Sequence, residues 1–161
     1  MKKALILAAA LSMAMSFGAY ADTVVSAGTE AAQETTQEVA PLFDLTAQKC
    51  HVKYTGFAIK QDYDGKDCLV IYMDATNLSG KSSFANQGAF IKAFQNGVEL
   101  ENSFVMEDEA CDNSVKYVQD GVTLNIAEAF VLKDRSDVDI EIEDLWNWTE
   151  STTQKATIKL Q

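Results

Sequence analysis

From Leu42 onward, apolar residues recur mainly at every second position, the period that sets one face of a β-strand against a core. The clearest run is Cys68 to Asn77 (CLVIYMDATN), in which Leu69, Ile71, Met73 and Ala75 make one apolar face and Asp74 stands on the other. Val138, Ile140 and Ile142 alternate with Asp139, Glu141 and Glu143, as expected in an antiparallel sheet with one wet face. Cys50, Val52 and Tyr54 alternate with polar partners, and Gly56 is placed to form a bulge ahead of Phe57 and Ile59. Val122 to Leu132 predicts another strand. Ala156, Ile158 and Leu160 share one side of a closing strand.

Gly88 to Glu101 (GAFIKAFQNGVELE) predicts a β-hairpin around which the other elements are arranged. Ala89, Ile91 and Ala93 fall on one face of its first arm, and Phe90, Lys92 and Phe94 on the other. Asn96-Gly97 suits the positive φ angles of a tight I′ turn, after which Val98 and Leu100 lead a return arm toward Phe104 and Val105. A lone hairpin is marginal, so the flanking segments must supply further strands and a second sheet. Turns are expected at Asp62–Lys66, Tyr117–Gly121 and Lys133–Asp137, and Glu107–Asn113 reads as an acidic, irregular loop. No long amphipathic helix stands out. About seven short strands separated by turns predict an all-β chain, folded as an antiparallel β-sandwich.

The N-terminus has a different texture. Lys2 and Lys3 precede a short apolar run from Ala4 to Met15, and Ala19-Tyr20-Ala21 offers the small-x-small pattern that a signal peptidase cuts after. Residues 1–21 are therefore expected to be a signal peptide, with Asp22 as the new N-terminus. A membrane anchor is the alternative, but the run falls short of the ~20 residues a spanning helix needs. Residues 22–40 are rich in Thr, Glu, Gln and Ala and lack aromatics, so they read as a flexible tether that has too little apolar surface to offset its ordering entropy. Pro41 marks the boundary of the domain spanning 41–161.

Charge narrows the partners. The chain carries 13 basic and 24 acidic residues, and cleavage after Ala21 removes two of the lysines, taking the net charge from −11 to −13. A surface this acidic repels nucleic acid and anionic membranes. Solubility alone accounts for it, and cations or basic partners are compatible with it.

The run CLVIYMDATNLSG, the hairpin AFQNGVELE, the QDG turn before TLNIAEAFVLKD and the closing VDIEIED resemble a family of exported bacterial domains. That family, domain of unknown function 5067, occurs in clostridia-like Gram-positive bacteria. The resemblance covers Leu42 to Gln161 and implies an extracellular immunoglobulin-like sandwich behind a signal or lipoprotein leader and a low-complexity tether. It implies no reaction and no catalytic residues. No cysteine follows the expected cut, unlike in the lipoprotein members.

Candidate chemistry is sparse. His51, the only histidine, follows Cys50, and neighbours on a strand point to opposite faces, so the two cannot form a nucleophilic pair. Asp62, Asp64 and Asp67 flank Gly65, and Glu107, Asp108, Glu109 and Asp112 cluster in a second loop. Neither has a calcium loop's spacing, and turn carboxylates commonly serve local hydrogen bonds, so no metal and no cofactor are expected. Trp146 and Trp148 lie two apart and share a face in an extended segment. Exposed, they would stack on a glycan or protein partner; buried, they would close one end of the core.

Cys50, Cys68 and Cys111 cannot all pair within one chain and lack zinc or redox spacing. Counting strands up and down brings Cys111 back to the end of the sandwich that holds Cys50, which predicts a Cys50–Cys111 disulfide with Cys68 unpaired. Such a bridge would stabilise by about 4 kcal/mol in the chain-entropy model. The expectation is thus a secreted, non-catalytic domain that binds a protein or glycan. A small secreted enzyme or inhibitor and a passive envelope scaffold are the alternatives.

Overall fold

The computed structural model describes residues 42–147 and 152–160. The expected signal peptide, tether and Pro41 lie outside the described residues, as does Trp148. Strands Asp44–Thr46 (β1), Cys50–Gln61 (β2), Asp67–Asn77 (β3), Thr123–Val131 (β9) and the two-residue Asn102–Ser103 (β7) form one antiparallel sheet in the order β1-β2-β3-β9-β7. Ala89–Gln95 (β5), Val98–Glu99 (β6), Val138–Asp144 (β10) and Gln154–Ile158 (β11) form a second, in the order β11-β10-β5-β6. Ser83–Phe84 (β4) pairs with Tyr117–Val118 (β8), and one short helix, Glu109–Ser114 (α1), follows β7. The protein is an all-β antiparallel sandwich.

The alternating pattern is what joins the two sheets. Leu69, Ile71, Met73 and Ala75 of β3 bury their side chains together with Ile126 and Phe130 of β9 and with Ile91, Ala93, Ile140, Ile142 and Ile158 of the second sheet. Gly56 sits at the expected irregularity, where the β2–β3 register shifts between Tyr54 and Gly56. Asn96 and Gly97 both take positive φ, 51° and 75°, as the I′ turn requires.

Two expectations fail here. The return arm of the hairpin is only two residues long. After Val98 and Glu99 pair with β5, Leu100 N–H still bonds Ala93 C=O, and the chain then crosses to the other sheet, where Asn102 and Ser103 pair with Phe130 and Ala129. Leu100 turns into the core while Val98 is exposed, so the apolar residues of this arm never form one continuous strand face. The loop expected at Glu107–Asn113 contains α1, nucleated by Asp108. The Asp108 carboxylate accepts from the amides of Ala110 and Cys111, which caps the helix N-terminus.

That crossover explains a further feature of β3. Cys68 and Val70, on the face away from the sandwich core, are also fully buried. Val105, Ala110 and Cys111 lie over them together with Ala127 and Ala129, so the segment after β7 forms a second, smaller core on the outside of the sheet. Burial on both faces accounts for the near-continuous apolar run at Cys68–Met73. It also separates the cysteines. Cys50 belongs to the inter-sheet core and Cys111 to the outer one, so the expected Cys50–Cys111 bridge is not formed, and all three thiols are free and buried. Counting strands assigned the segment after Ser103 to the end of the sandwich, whereas it folds across the sheet's outer face.

Candidate functional site

One side of the sandwich is closed. The Gln154 side chain accepts from Asp44 N–H at 3.1 Å and donates to Asp44 C=O at 2.9 Å, tying the edge strand of one sheet to that of the other. On the opposite side the crossover Val98–Ser103 closes only one end, because β6 and β7 pair with just two residues each. Beyond it, among the described residues, no strand pairs with Asn125–Glu128 of β9 on the side away from β3. A cleft of about 280 Å³ opens there. Asn86 and Phe90 line it from the second sheet's side, Phe104 and Ser114 from the crossover and α1, and Ala127 and Glu128 from β9.

Glu128 sets the character of the cleft. It shares the strand face of Leu124, Ile126 and Phe130, opposite Ile71 of β3, so a carboxyl stands where the pattern calls for an apolar side chain. Burial pushes its pKa up to about 7, against a hydrogen bond from Asn86 Nδ2 at 3.1 Å that favours the charged form. Among the described residues no lysine, arginine or histidine lines the cleft, and Lys92 on β5 is engaged by Glu143 at 2.8 Å. The sequence carries a signal for this site in its parity. In TLNIAEAFV, Glu128 is the one charged residue among the inward positions.

A second set of polar groups fixes the wall of the cleft. Asp108, buried at the start of α1, accepts from Lys60 Nζ and Tyr72 Oη, both at 2.7 Å, besides capping the helix. Burial alone would raise its pKa, but the bonds from Lys60, Tyr72 and the Cys111 amide outweigh it and hold the carboxyl below its ordinary value. The same partnership raises the Lys60 pKa. Asp62, in the β2–β3 turn, accepts from the amides of Asp64 and Lys66 and from Ser103 Oγ at 2.9 Å, and so anchors β7.

These contacts account for much of the acidic clusters. Asp62 and Asp108 bind amides and side chains of their own domain, and Asp67 pairs with Arg135. Among the described residues no three His, Cys, Asp or Glu side chains are grouped to hold a metal ion. His51 bonds Asp44 at 2.5 Å on the exposed side of β2, while the adjacent Cys50 points into the core. Trp146 is 38% exposed, but its indole lies against Gly88, and Lys49 Nζ sits 3.7 Å from its ring centroid. The ring is therefore already engaged from within the domain, and the expected Trp146–Trp148 pair is described only in its first member.

Residues 25–144 match the family model described as a domain of unknown function, DUF5067. The chain belongs to that family. The match begins inside the stretch read above as a tether. No curated protein matches the DUF5067 chain. Among solved structures it is similar to one described as a putative lipoprotein from Staphylococcus aureus, with a TM-score of 0.56 at 12% identity, covering 73% of this chain and 88% of that one. It is also similar to one described as a putative lipoprotein (ycdA) from Bacillus subtilis, with a TM-score of 0.48 at 9% identity, covering 71% of this chain and 37% of that one. At such identities the Staphylococcus likeness establishes a shared fold for this DUF5067 domain.

Proposed function

We propose that this DUF5067 chain is an exported, non-catalytic binding module of the bacterial cell envelope or extracellular space, of immunoglobulin-like type, and that it holds its ligand in the cleft beside β9. The observation that carries the reading is the cleft itself, a concave site at an open sandwich edge with one carboxyl, carboxamides and two phenyl rings converging on it. The leader-like N-terminus and the lipoprotein description of the Staphylococcus neighbour support an exported location. A non-catalytic role is supported by the cleft's lining, which offers amides, hydroxyls and a deeply buried thiol beside Glu128 but no second acid–base group placed to share a proton transfer. Compared with Trp146, whose ring Lys49 and Gly88 already engage, the cleft has side chains still open to a ligand.

The test is binding of the purified mature chain to the isolated envelope fraction of its source bacterium, with the Ser114→Trp variant as comparison. Ser114 is half-buried on the cleft wall, so an indole there fills the space. Loss of binding in Ser114→Trp, with Trp146→Ala binding retained, is the expected result. Undiminished binding by Ser114→Trp would move the site elsewhere.

A further inference from the structure

We infer that the β9 cleft recognises an organic cation, specifically an alkylammonium group of the size carried by a lysine side chain or an amine-bearing small molecule, with Glu128 as its counter-ion. The inference rests on the cleft being a binding site at all, as proposed above. Glu128 lies on the core-facing side of β9 and lines the cleft, and among the described residues only Asn86 bonds it, through Oε1. A half-buried carboxylate without a positive partner is costly, and an ammonium brought to it offsets that cost.

The surroundings favour the same group. Phe90 and Phe104 line the cleft, and aromatic faces attract cations. Phe90 already does so on one side, with Lys92 Nζ 5.0 Å from its ring centroid. An anionic ligand would meet Glu128 and a strongly acidic molecule with no lining cation to hold it. The volume, about 280 Å³, lies just below the range of roughly 300–1,000 Å³ for drug-sized ligands, so the cleft fits a side-chain-sized group.

The groups facing Glu128 make its titration simple to read. From the second sheet's side come Asn86 and Phe90, from the crossover Asn102, Ser103 and Phe104, and from α1 Ser114 and Cys111. Cys111 is the one other titratable group in this lining, and burial raises its pKa, so it stays a neutral thiol. Cross-strand from Glu128 is Ile71. Burial and the Asn86 bond alone move the carboxyl, and no charged side chain contributes.

The experiment is an NMR titration of the full mature chain with n-butylammonium, and in parallel with 1-pentanol, its neutral analogue of similar size. n-Butylammonium is expected to shift the Asn86 side-chain amide and the backbone amides of 127–129. Its affinity should rise about tenfold per pH unit between pH 5 and 7 and level off above, because it binds the ionised carboxyl. By linkage, saturating amine should lower the Glu128 pKa read from its side-chain 13C shift. Glu128→Gln should lose the amine binding and its pH dependence. Its melting midpoint, matching the parent's near pH 4 where both side chains are neutral in either state, verifies that it folds. Pentanol binding as well as the amine, or affinity falling as pH rises, overturns the cation assignment and leaves the cleft as a site for neutral groups. No response to either probe overturns both the cation assignment and the cleft reading.

Discussion

Trp146 lies so close over Gly88 that a Cβ built at position 88 would stand 2.3 Å from indole Cδ1 and 2.4 Å from Nε1. The same glycine takes φ +96°, a conformation side chains rarely adopt, while its carbonyl accepts from Leu145 N–H at 2.8 Å. Gly88→Ala must therefore strain the backbone and displace the indole from Lys49. We expect a loss of about 1–3 kcal/mol in denaturant unfolding. In a Trp148→Phe background, red-shifted fluorescence should report the indole leaving its seat. A blue shift with unchanged stability would contradict the contact.

Asp108 joins three roles in one carboxylate, as helix cap, partner of Lys60 and acceptor from Tyr72 Oη. Asp108→Ala should cost about 2–3 kcal/mol, less than the roughly 3–5 kcal/mol of a fully buried pair, since Lys60 remains half in water. The pH behaviour follows from its lowered pKa. A group whose folded pKa is depressed contributes fully above its unfolded value of about 3.9 and loses that contribution as pH falls through the folded value. Acid unfolding of Asp108→Asn should accordingly be shallower below pH 4 than that of the parent chain. Identical acid limbs would rule out the linkage.

Glu128 has the opposite sign. Its folded pKa, raised to about 7, means that the native chain holds a proton that the unfolded chain releases near pH 4.3. Its contribution is complete below the unfolded value and is lost as pH rises through 7. Glu128→Gln should match the parent near pH 4 and exceed it at pH 8, by at most about 4 kcal/mol. Melting curves across that window measure the difference, and a constant offset would place the carboxyl in water.

The thiols provide a direct check on the two cores. Burial raises the pKa of Cys50 to about 11 and raises those of Cys68 and Cys111, so none forms a ready thiolate. Iodoacetamide should leave the native chain unmodified at pH 8 and add three equivalents after denaturation, by intact-mass analysis. Reductant should not move the melting point. A fall in midpoint on reduction would reveal a bridge.

What the sequence disclosed follows the reach of its patterns. Leu69 to Ala75 and Val138 to Ile142 were legible because a period of two is a local property of a strand with a buried face. The return arm after Gly97 was not, because two residues of pairing do not establish a period and the partner of Asn102–Ser103 lies on the far side of Thr123. The helix after Asp108 spans a turn and a half, too short for its own periodicity, although the capping carboxylate was visible among the acidic residues. At the cleft, Glu128 could be read as an inward residue from parity alone. Its neighbours Asn86 and Ser114 could not, since only the folded crossover brings them to it.

The Gln154 amide bonded to both backbone groups of Asp44 bears on how chains of this protein meet one another. An edge strand with free N–H and C=O groups is a template for a strand from another molecule. Here a side-chain carboxamide imitates the missing peptide unit and occupies both groups, and Asn113 Nδ2 does the same for Asn125 C=O beside the cleft, at 3.0 Å. At these two places a side-chain amide stands where a further strand would pair. The principal effect of losing either amide would accordingly fall on self-association, because a margin left open in the monomer is satisfied most readily by a second copy.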